Sequence, residues 1–342
     1  MSGEGAAGAW PAGGKNLANF GDRLDRAARD KKSVAVVGID PTLALMPPAL
    51  AERAASGPDG LYSALSDFCL GIVLAVADLV PAVKPNLAFF EAFGLPGLSV
   101  YQSLCLAAAN QGLLVIGDVK RGDIGSTAAA YAAGLLDRPR PEPDRPPGLG
   151  GRERLQRDTG ALLGPHDALT LNPYLGSDSV QPFLERGCGR GQGFFVLVKT
   201  SNPSSAELQD LRLDGGGTVA ERAAGLARDW GRDKIGASGL SAVGAVVGAT
   251  HPAELGRFRE LMPDSPFLVP GYGAQGGSAA AAAGAFRADG SGAVVNASRS
   301  VIQAWKREGR PDDWRGAARR AVQAMNRDLA SALRAAGKGD WL

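Results

Sequence analysis

Histidine and cysteine are scarce in this chain: there are two histidines, His166 and His251, and three cysteines, Cys69, Cys105 and Cys188. Two imidazoles exclude a His-rich metal centre, and each reads as a surface or loop residue rather than a catalytic base. The cysteines lie far apart with no CxxC spacing, which predicts reduced, buried thiols rather than disulfides or metal ligands and fits the cytoplasm. Long apolar runs are also missing. The most apolar stretch, 70–77, is ended by Asp78 and falls far short of the ~20 residues needed to cross a bilayer, so no membrane span is expected. Charge of one sign is not in excess either: 37 Lys and Arg stand against 35 Asp and Glu, and a net charge of +2 gives no reason to expect a nucleic-acid or anionic-membrane partner. Small anionic ligands remain open. Residues 1–15 are Gly/Ala-rich with Glu4 and lack the basic-then-apolar order of a signal peptide, so a disordered tail is expected there.

What is present is alternation. Short β-branched runs exchange with longer Ala/Leu/Arg segments of helical period, the pattern of repeated βα units and a parallel sheet. Strands are predicted at 33–39, 80–86, 113–119, 168–171, 193–198, 242–247, 266–269 and 292–295. Eight strands, each followed by a helical segment, are what a closed (β/α)8 TIM barrel requires. A doubly wound open sheet is the alternative. The second strand is the least regular, because Pro81 and Pro85 both lack ladder donors; it is read as a short strand between them. At 342 residues and 45% hydrophobic, the chain can bury a large core, and the reading is one barrel domain over 16–342. Two regions lie outside the repeat. Residues 17–29 read as an amphipathic helix able to close the barrel bottom, and 137–165, rich in Pro, Arg and Gly, reads as an insertion between the third helix and fourth strand. That position puts the insertion at the N-terminal face, as a mobile surface excursion away from any chemistry. The tail, 314–342, reads as one more amphipathic helix with a frayed end.

The strongest local signal is Leu113-Leu114-Val115-Ile116-Gly117-Asp118-Val119-Lys120-Arg121-Gly122-Asp123-Ile124, an apolar strand whose last residues become charged. Residues i and i+2 of a strand share a face, so Asp118 and Lys120 project into one space, which at the C-terminal end of a barrel strand is the active-site mouth. Asp123 follows in the loop, just ahead of a helix starting near Ser126. Lys84 ends the second predicted strand and Asp40 the first. A surface salt-bridge cluster is the plain alternative for the first group, and a cap for the turn before Pro41 the plain alternative for Asp40. Yet charges at the C-terminal ends of three successive strands are partly desolvated and must be paired. They can pair with one another, as a stiff, preorganised array of alternating sign. Two later segments suit a phosphate. Pro270-Gly271-Tyr272-Gly273-Ala274-Gln275-Gly276-Gly277 follows the seventh strand and Asn296-Ala297-Ser298-Arg299-Ser300 follows the eighth, the two loops that commonly bind phosphate in barrels. Arg299 can add a forked pair of charge-assisted bonds.

Together the Asp118–Ile124 run, Lys84, the Gly273–Gly277 loop and Ser298-Arg299 resemble the orotidine 5′-phosphate decarboxylase family. Val83-Lys84-Pro85-Asn86, Val198-Lys199-Thr200-Ser201-Asn202-Pro203 and Pro270-Gly271-Tyr272-Gly273 resemble its longer bacterial branch. The resemblance spans Asp40 to Arg299 and implies a homodimer of barrels with two shared active sites, acting on orotidine 5′-phosphate without metal, flavin or pyridoxal. It implies that Lys84, Asp118 and Lys120 come from one chain, while Asp123, Ile124 and Thr127 reach in from the neighbour. Asp40 and Lys84 would hold ribose hydroxyls, Ser201 would contact the pyrimidine, and Gln275 with Arg299 would bind the phosphate. The 137–165 insertion departs from the family pattern, and the loop after Pro270 is short. Loss of CO2 from C6 leaves an in-plane lone pair that the π system cannot delocalise, so stabilisation must be electrostatic. Lys120 is the candidate for that task and for proton delivery, with Asp118 fixing it. A metal-dependent sugar-phosphate barrel would need a carboxylate where Lys84 stands. A non-catalytic nucleotide-binding barrel would need the phosphate grip but not the crowded charges.

Overall fold

Eight parallel strands close into a barrel in sequence order: β1 (Ala35–Ile39), β2 (Ala82–Pro85), β3 (Leu114–Arg121), β4 (Ala168–Leu171), β5 (Gly193–Lys199), β6 (Val243–Val247), β7 (Phe267–Val269) and β8 (Ala293–Ala297). β8 returns to β1 through Ala35↔Val295, Val36↔Asn296 and Val37↔Ala297, which excludes the open sheet. This computed structural model describes residues 18–137, 163–249, 252–273 and 276–342. The expected tail over 1–15, His251, Gln275 and all but the ends of the expected insertion lie outside the described residues. Each predicted strand has its counterpart. Pro81 precedes β2 and Pro85 is its last residue, so neither is asked for an interior ladder donor. β3, β5 and β8 run further than the apolar pattern suggests, to Arg121, Lys199 and Ala297. The pattern stops where the side chains turn polar, but the backbone ladder continues to the barrel mouth.

Inside the barrel the lower layer is apolar: Val36, Ala82, Leu114, Ile116, Ala168, Phe195, Val246, Leu268 and Val294 pack as one cluster. Phe20 and Leu24 join it from the first helix, Phe20–Lys31, which closes the bottom as the amphipathic pattern suggests. Phe20 meets Phe195 edge-on at 5.7 Å between ring centroids. Gly193 makes that approach possible, since a Cβ there would fall 2.1 Å from the Phe20 ring. Outside the barrel the helices bury a second, larger cluster against the strands. The helix between β1 and β2, Pro58–Val76, is longer than the apolar run singled out in the sequence and has a mean hydropathy of 1.5 over its most apolar window, enough by length and composition to cross a membrane. It nevertheless packs in the barrel's outer layer, with Phe68, Cys69, Ile72, Val73 and Val76 buried there. The C-terminal helix runs from Trp314 to Ala335 and lies against it.

The described ends of the expected insertion, Asp137 and the residues from Leu163, lie at the N-terminal side of β4. Asp137 accepts from Arg186 and Arg190 there. His166 follows and corrects the surface reading: it is in the loop before β4 but is buried. Its Nδ1 lies 2.8 Å from the Leu135 carbonyl oxygen and its Nε2 2.8 Å from the Tyr101 hydroxyl. A carbonyl can only accept, so Nδ1 carries the proton and Nε2 accepts from Tyr101. Burial pushes the His166 pKa below its ordinary value of 6.5, against the Leu135 carbonyl and Asp167, which raise it. A depressed value means that the unfolded chain binds a proton which the native ring refuses, so stability falls as the pH drops below about 6.5. NMR at about pH 6 is expected to find the His166 ring neutral in the Nδ1–H tautomer, and an imidazolium signal there would contradict this account.

Candidate active site

The barrel mouth holds a cavity of about 990 Å³, lined on one side by Asp40, Lys84, Asp118 and Lys120 and on the other by Leu197, Val246 and Leu268. Strand alternation explains the polar side. Val36, Ala82 and Ile116 fill the barrel interior, and two residues further along the same strands come Gly38, Lys84 and Asp118. Asp118 is the centre of the array. Its Oδ2 accepts from Lys84 Nζ at 2.7 Å, and its Oδ1 accepts from Lys120 Nζ at 2.5 Å. Lys84 and Asp118 are buried, whereas the Lys120 side chain is 49% exposed and faces the cavity mouth. Burial raises the Asp118 pKa, but Lys84 and Lys120 more than offset that and hold it well below the usual carboxylate range. Burial likewise lowers the Lys84 pKa, and Asp118 and Asp40 overcome it, so the net shift is upward. Asp118 and Lys84 therefore both stay charged between about pH 5 and 9.

Asp118 and Lys120 meet, although not through a regular pleat. On the β3–β4 ladder Gly117 pairs with Leu169 and Arg121 with Leu171, so Asp118, Val119 and Lys120 all stand opposite the single residue Thr170. The extra residues bulge, and Lys120 takes φ 45°, a left-handed conformation costing about 1 kcal/mol for a side chain of this kind. Thr170, buried on β4, accepts from the backbone N–H groups of Val119 and Lys120, each at 3.0 Å, and donates to Asp118 Oδ1 at 3.0 Å.

Around the barrel from β3, Lys84 on β2 is followed by Asp40 at the end of β1 and by Asn296 and Ser298 on and after β8. Asp40 Oδ2 accepts from Ser298 Oγ at 2.6 Å, so Asp40 is tied across to β8 rather than capping the turn before Pro41. Asp40 Oδ1 and Asn296 Oδ1 are buried without a partner. Gly38 leaves this corner open, because a Cβ there would lie 2.7 Å from Ser298 Cβ and 3.1 Å from Asn296 Oδ1. Arg299 is exposed at the cavity rim, at the start of a helix of only four residues. The loop after β7 is tightly turned, with Gly271, Gly273 and Gly276 at φ of 100°, 75° and 87°.

Of the residues singled out in the sequence, Asp40, Lys84, Asp118, Lys120, Ser201 and Arg299 line this one cavity. Asp123, Ile124 and Thr127 do not line it; Asp123 Oδ1 accepts from the Ile124 N–H, and Ile124 and Thr127 are exposed. Thr170 and Asn296 went unnoticed as individual residues. Their signal was a polar side chain at an inward-facing position of an otherwise apolar strand. Lys199 entered only as part of a motif. It is fully buried at the end of β5, paired with Asp210 in the following loop and 3.5 Å from Glu254 in the helix Pro252–Leu261.

The family described as orotidine 5′-phosphate decarboxylase / HUMPS matches residues 36–139 and 163–309. The chain is 43% identical over 319 residues to the orotidine 5′-phosphate decarboxylase of Rhodopirellula baltica, covering 92% of this chain and 99% of that one. Against the enzyme of that name from Deinococcus radiodurans it is 44% identical over 265 residues, covering 77% and 84%. Among solved structures, an OMP decarboxylase from Leishmania donovani matches with a TM-score of 0.62 at 32% identity, over 90% of this chain and 98% of that one. The Plasmodium berghei orotidine 5′-monophosphate decarboxylase, at 16% identity, a TM-score of 0.69 and coverage of 93% and 99%, adds a likeness in fold alone. The family match runs through all eight strands and breaks off only across 140–162, within the expected insertion, and by that match the chain belongs to the orotidine 5′-phosphate decarboxylase / HUMPS family.

Proposed function

We propose that the chain removes CO2 from orotidine 5′-phosphate to give UMP, with Lys120 stabilising the C6 carbanion and delivering the proton that replaces CO2. The observation that carries this reading is Asp118 held between Lys84 and Lys120, with the two lining groups Lys84 and Asp118 buried and the Lys120 ammonium the exposed one at the open cavity. An in-plane carbanion calls for a fixed positive charge beside it, and an ammonium locked by a buried carboxylate is fixed before substrate arrives. Asp118 lies next to the departing carboxylate and keeps Lys120 in place. The unpartnered Asp40 Oδ1 and Asn296 Oδ1 suit ribose hydroxyls, which are donors, and Lys84 lies beside them. Arg299 at the rim, with the glycine loop after β7 and Gln275, binds the phosphate. Leu197, Val246 and Leu268 supply an apolar wall for the pyrimidine, and Ser201 contacts its polar edge. The phosphate contacts, remote from C6, supply binding energy for closing and desolvating the site. The three free thiols suit a cytoplasmic setting.

The active unit in this reading is a homodimer. Asp123, Ile124 and Thr127 sit away from the cavity of their own chain, and Ile124, Tyr131 and Tyr174 expose apolar surface beside it. That arrangement supports their serving the site of a second copy.

Three outcomes test the array. Asp118→Ala leaves Lys84 buried with its nearest anion gone and is expected to cost about 3 kcal/mol in urea unfolding, most of it recovered in Asp118→Ala/Lys84→Met; a double variant no more stable than the single one would refute charge pairing as the cause. Lys120→Ala is expected to abolish UMP formation while UMP binding largely survives, and turnover within about tenfold of wild type would remove Lys120 from its role. Finally, Lys120→Ala and Asp123→Ala homodimers, each nearly inactive, are unfolded and refolded together. Random pairing makes about half the dimers mixed, each with one intact site, so about a quarter of wild-type activity returns. No recovery, with mixed dimers demonstrated by a mass tag, would assign Asp123 to the site of its own chain.

A further inference from the structure

We propose that Thr170 is a positioning residue for the decarboxylation, its hydroxyl setting the backbone turn that presents Lys120 and orienting the carboxylate beside it. The inference rests on the reading of Lys120 and Asp118 given above.

A threonine hydroxyl has one proton to donate and two lone pairs to accept with. Thr170 uses all three on the bulge of β3: the proton goes to Asp118 Oδ1, and the lone pairs take the N–H groups of Val119 and Lys120. On a regular parallel ladder successive amides point to opposite neighbouring strands, so only one of these two would face β4, and a β4 carbonyl would serve it. Between Gly117↔Leu169 and Arg121↔Leu171 the register slips, and the Thr170 side chain takes the place of the ladder. The left-handed backbone of Lys120 is thus pinned at its own N–H and at the one before it. Strain of this kind persists only where its surroundings over-determine it. A general packing role explains less. Thr170 is buried between Leu169 and Leu171 in an apolar strand, where valine has the same shape without a polar atom to satisfy.

The division of labour on Asp118 predicts which kinetic quantity moves. Lys84 holds Oδ2, whereas Thr170 and Lys120 share Oδ1. Removing the hydroxyl leaves the Lys84–Asp118 pair intact, along with the ribose and phosphate contacts at β1 and β8. What it frees is the Lys120 backbone and the oxygen to which its ammonium is bonded. The loss should therefore fall on the chemical step rather than on binding.

The test compares Thr170→Val, Thr170→Ala and Thr170→Ser with wild type and Lys120→Ala, measuring kcat and KM for orotidine 5′-phosphate and the Kd of UMP. Displacing a catalytic group by an ångström costs about a hundredfold, so kcat of Thr170→Val should fall on that order. KM and the UMP Kd should stay within roughly threefold, and Thr170→Ser, which restores the hydroxyl, should return kcat to within roughly tenfold of wild type. If kcat of the valine variant is within roughly threefold of wild type, if serine does no better than valine, or if KM and Kd move as far as kcat, the proposal is overturned. Should Thr170→Val not fold, Thr170→Ala carries the same comparison; if neither folds while serine does, the hydroxyl is a folding requirement and the positioning role is overturned. Lys120→Ala separates the two levels. A Lys120→Ala enzyme that keeps its kcat brings down the underlying assignment, whereas an inactive one beside a normal Thr170→Val brings down only this inference.

Discussion

Asp118 carries a negative charge inside a protein interior, and its burial is tolerable because two ammonium groups meet its two oxygens. Removed from either lysine, the carboxylate would be driven toward protonation; removed from the carboxylate, Lys84 would be driven toward neutrality. Neither residue is stable in its charged form without the other. The barrel brings them together, because the β2–β3 register sets Lys84 two residues short of Asp118 and its long side chain spans the difference above an apolar floor. The polarity of the strands thus changes along their length, from the hydrocarbon packed against Phe20 at the bottom to the charged groups at the mouth.

Much of this was legible in the sequence because it is written in local pattern. All eight strands follow from short β-branched runs, and the charged ends of β1, β2 and β3 follow from where those runs stop. The glycine loop after β7 and Arg299 after β8 are legible for the same reason. What escaped is what depends on two strands at once. The pleat rule predicts that Asp118 and Lys120 share a face, and they do meet, but they do so through a bulge that no single-strand pattern encodes. Thr170 lies some fifty positions away in the chain, and only closure of the β3–β4 ladder gives its hydroxyl a task. His166 is a loop residue, one of the two placements expected, but its burial is not local either: satisfied hydrogen bonds at both ring nitrogens let a neutral imidazole leave the surface.

The helix Pro58–Val76 makes a related point about composition. Its length and hydropathy match those of a bilayer span, yet its environment is a wall of other helices and strands. In a barrel, a helix covered by neighbours on both flanks can be apolar around much of its circumference, so hydropathy reports burial without naming the medium. The helix Phe20–Lys31, by contrast, faces the barrel on one side only, and there the amphipathic pattern identified the buried face directly.

Lys199 ties together parts of the mouth that the chain treats as separate. Its ammonium is fully buried at the end of β5, with Asp210 contributed by the next loop and Glu254 by the helix after β6. The loop between them carries Ser201 and Gln209 on the cavity wall. Loops of barrel enzymes are often regarded as interchangeable modules on a fixed scaffold. Here the exchange has a condition attached. A transplanted segment lacking an anion at the position of Asp210 would leave the buried cation with Glu254 alone, so the loop after β5 and the helix after β6 can be engineered only as a pair.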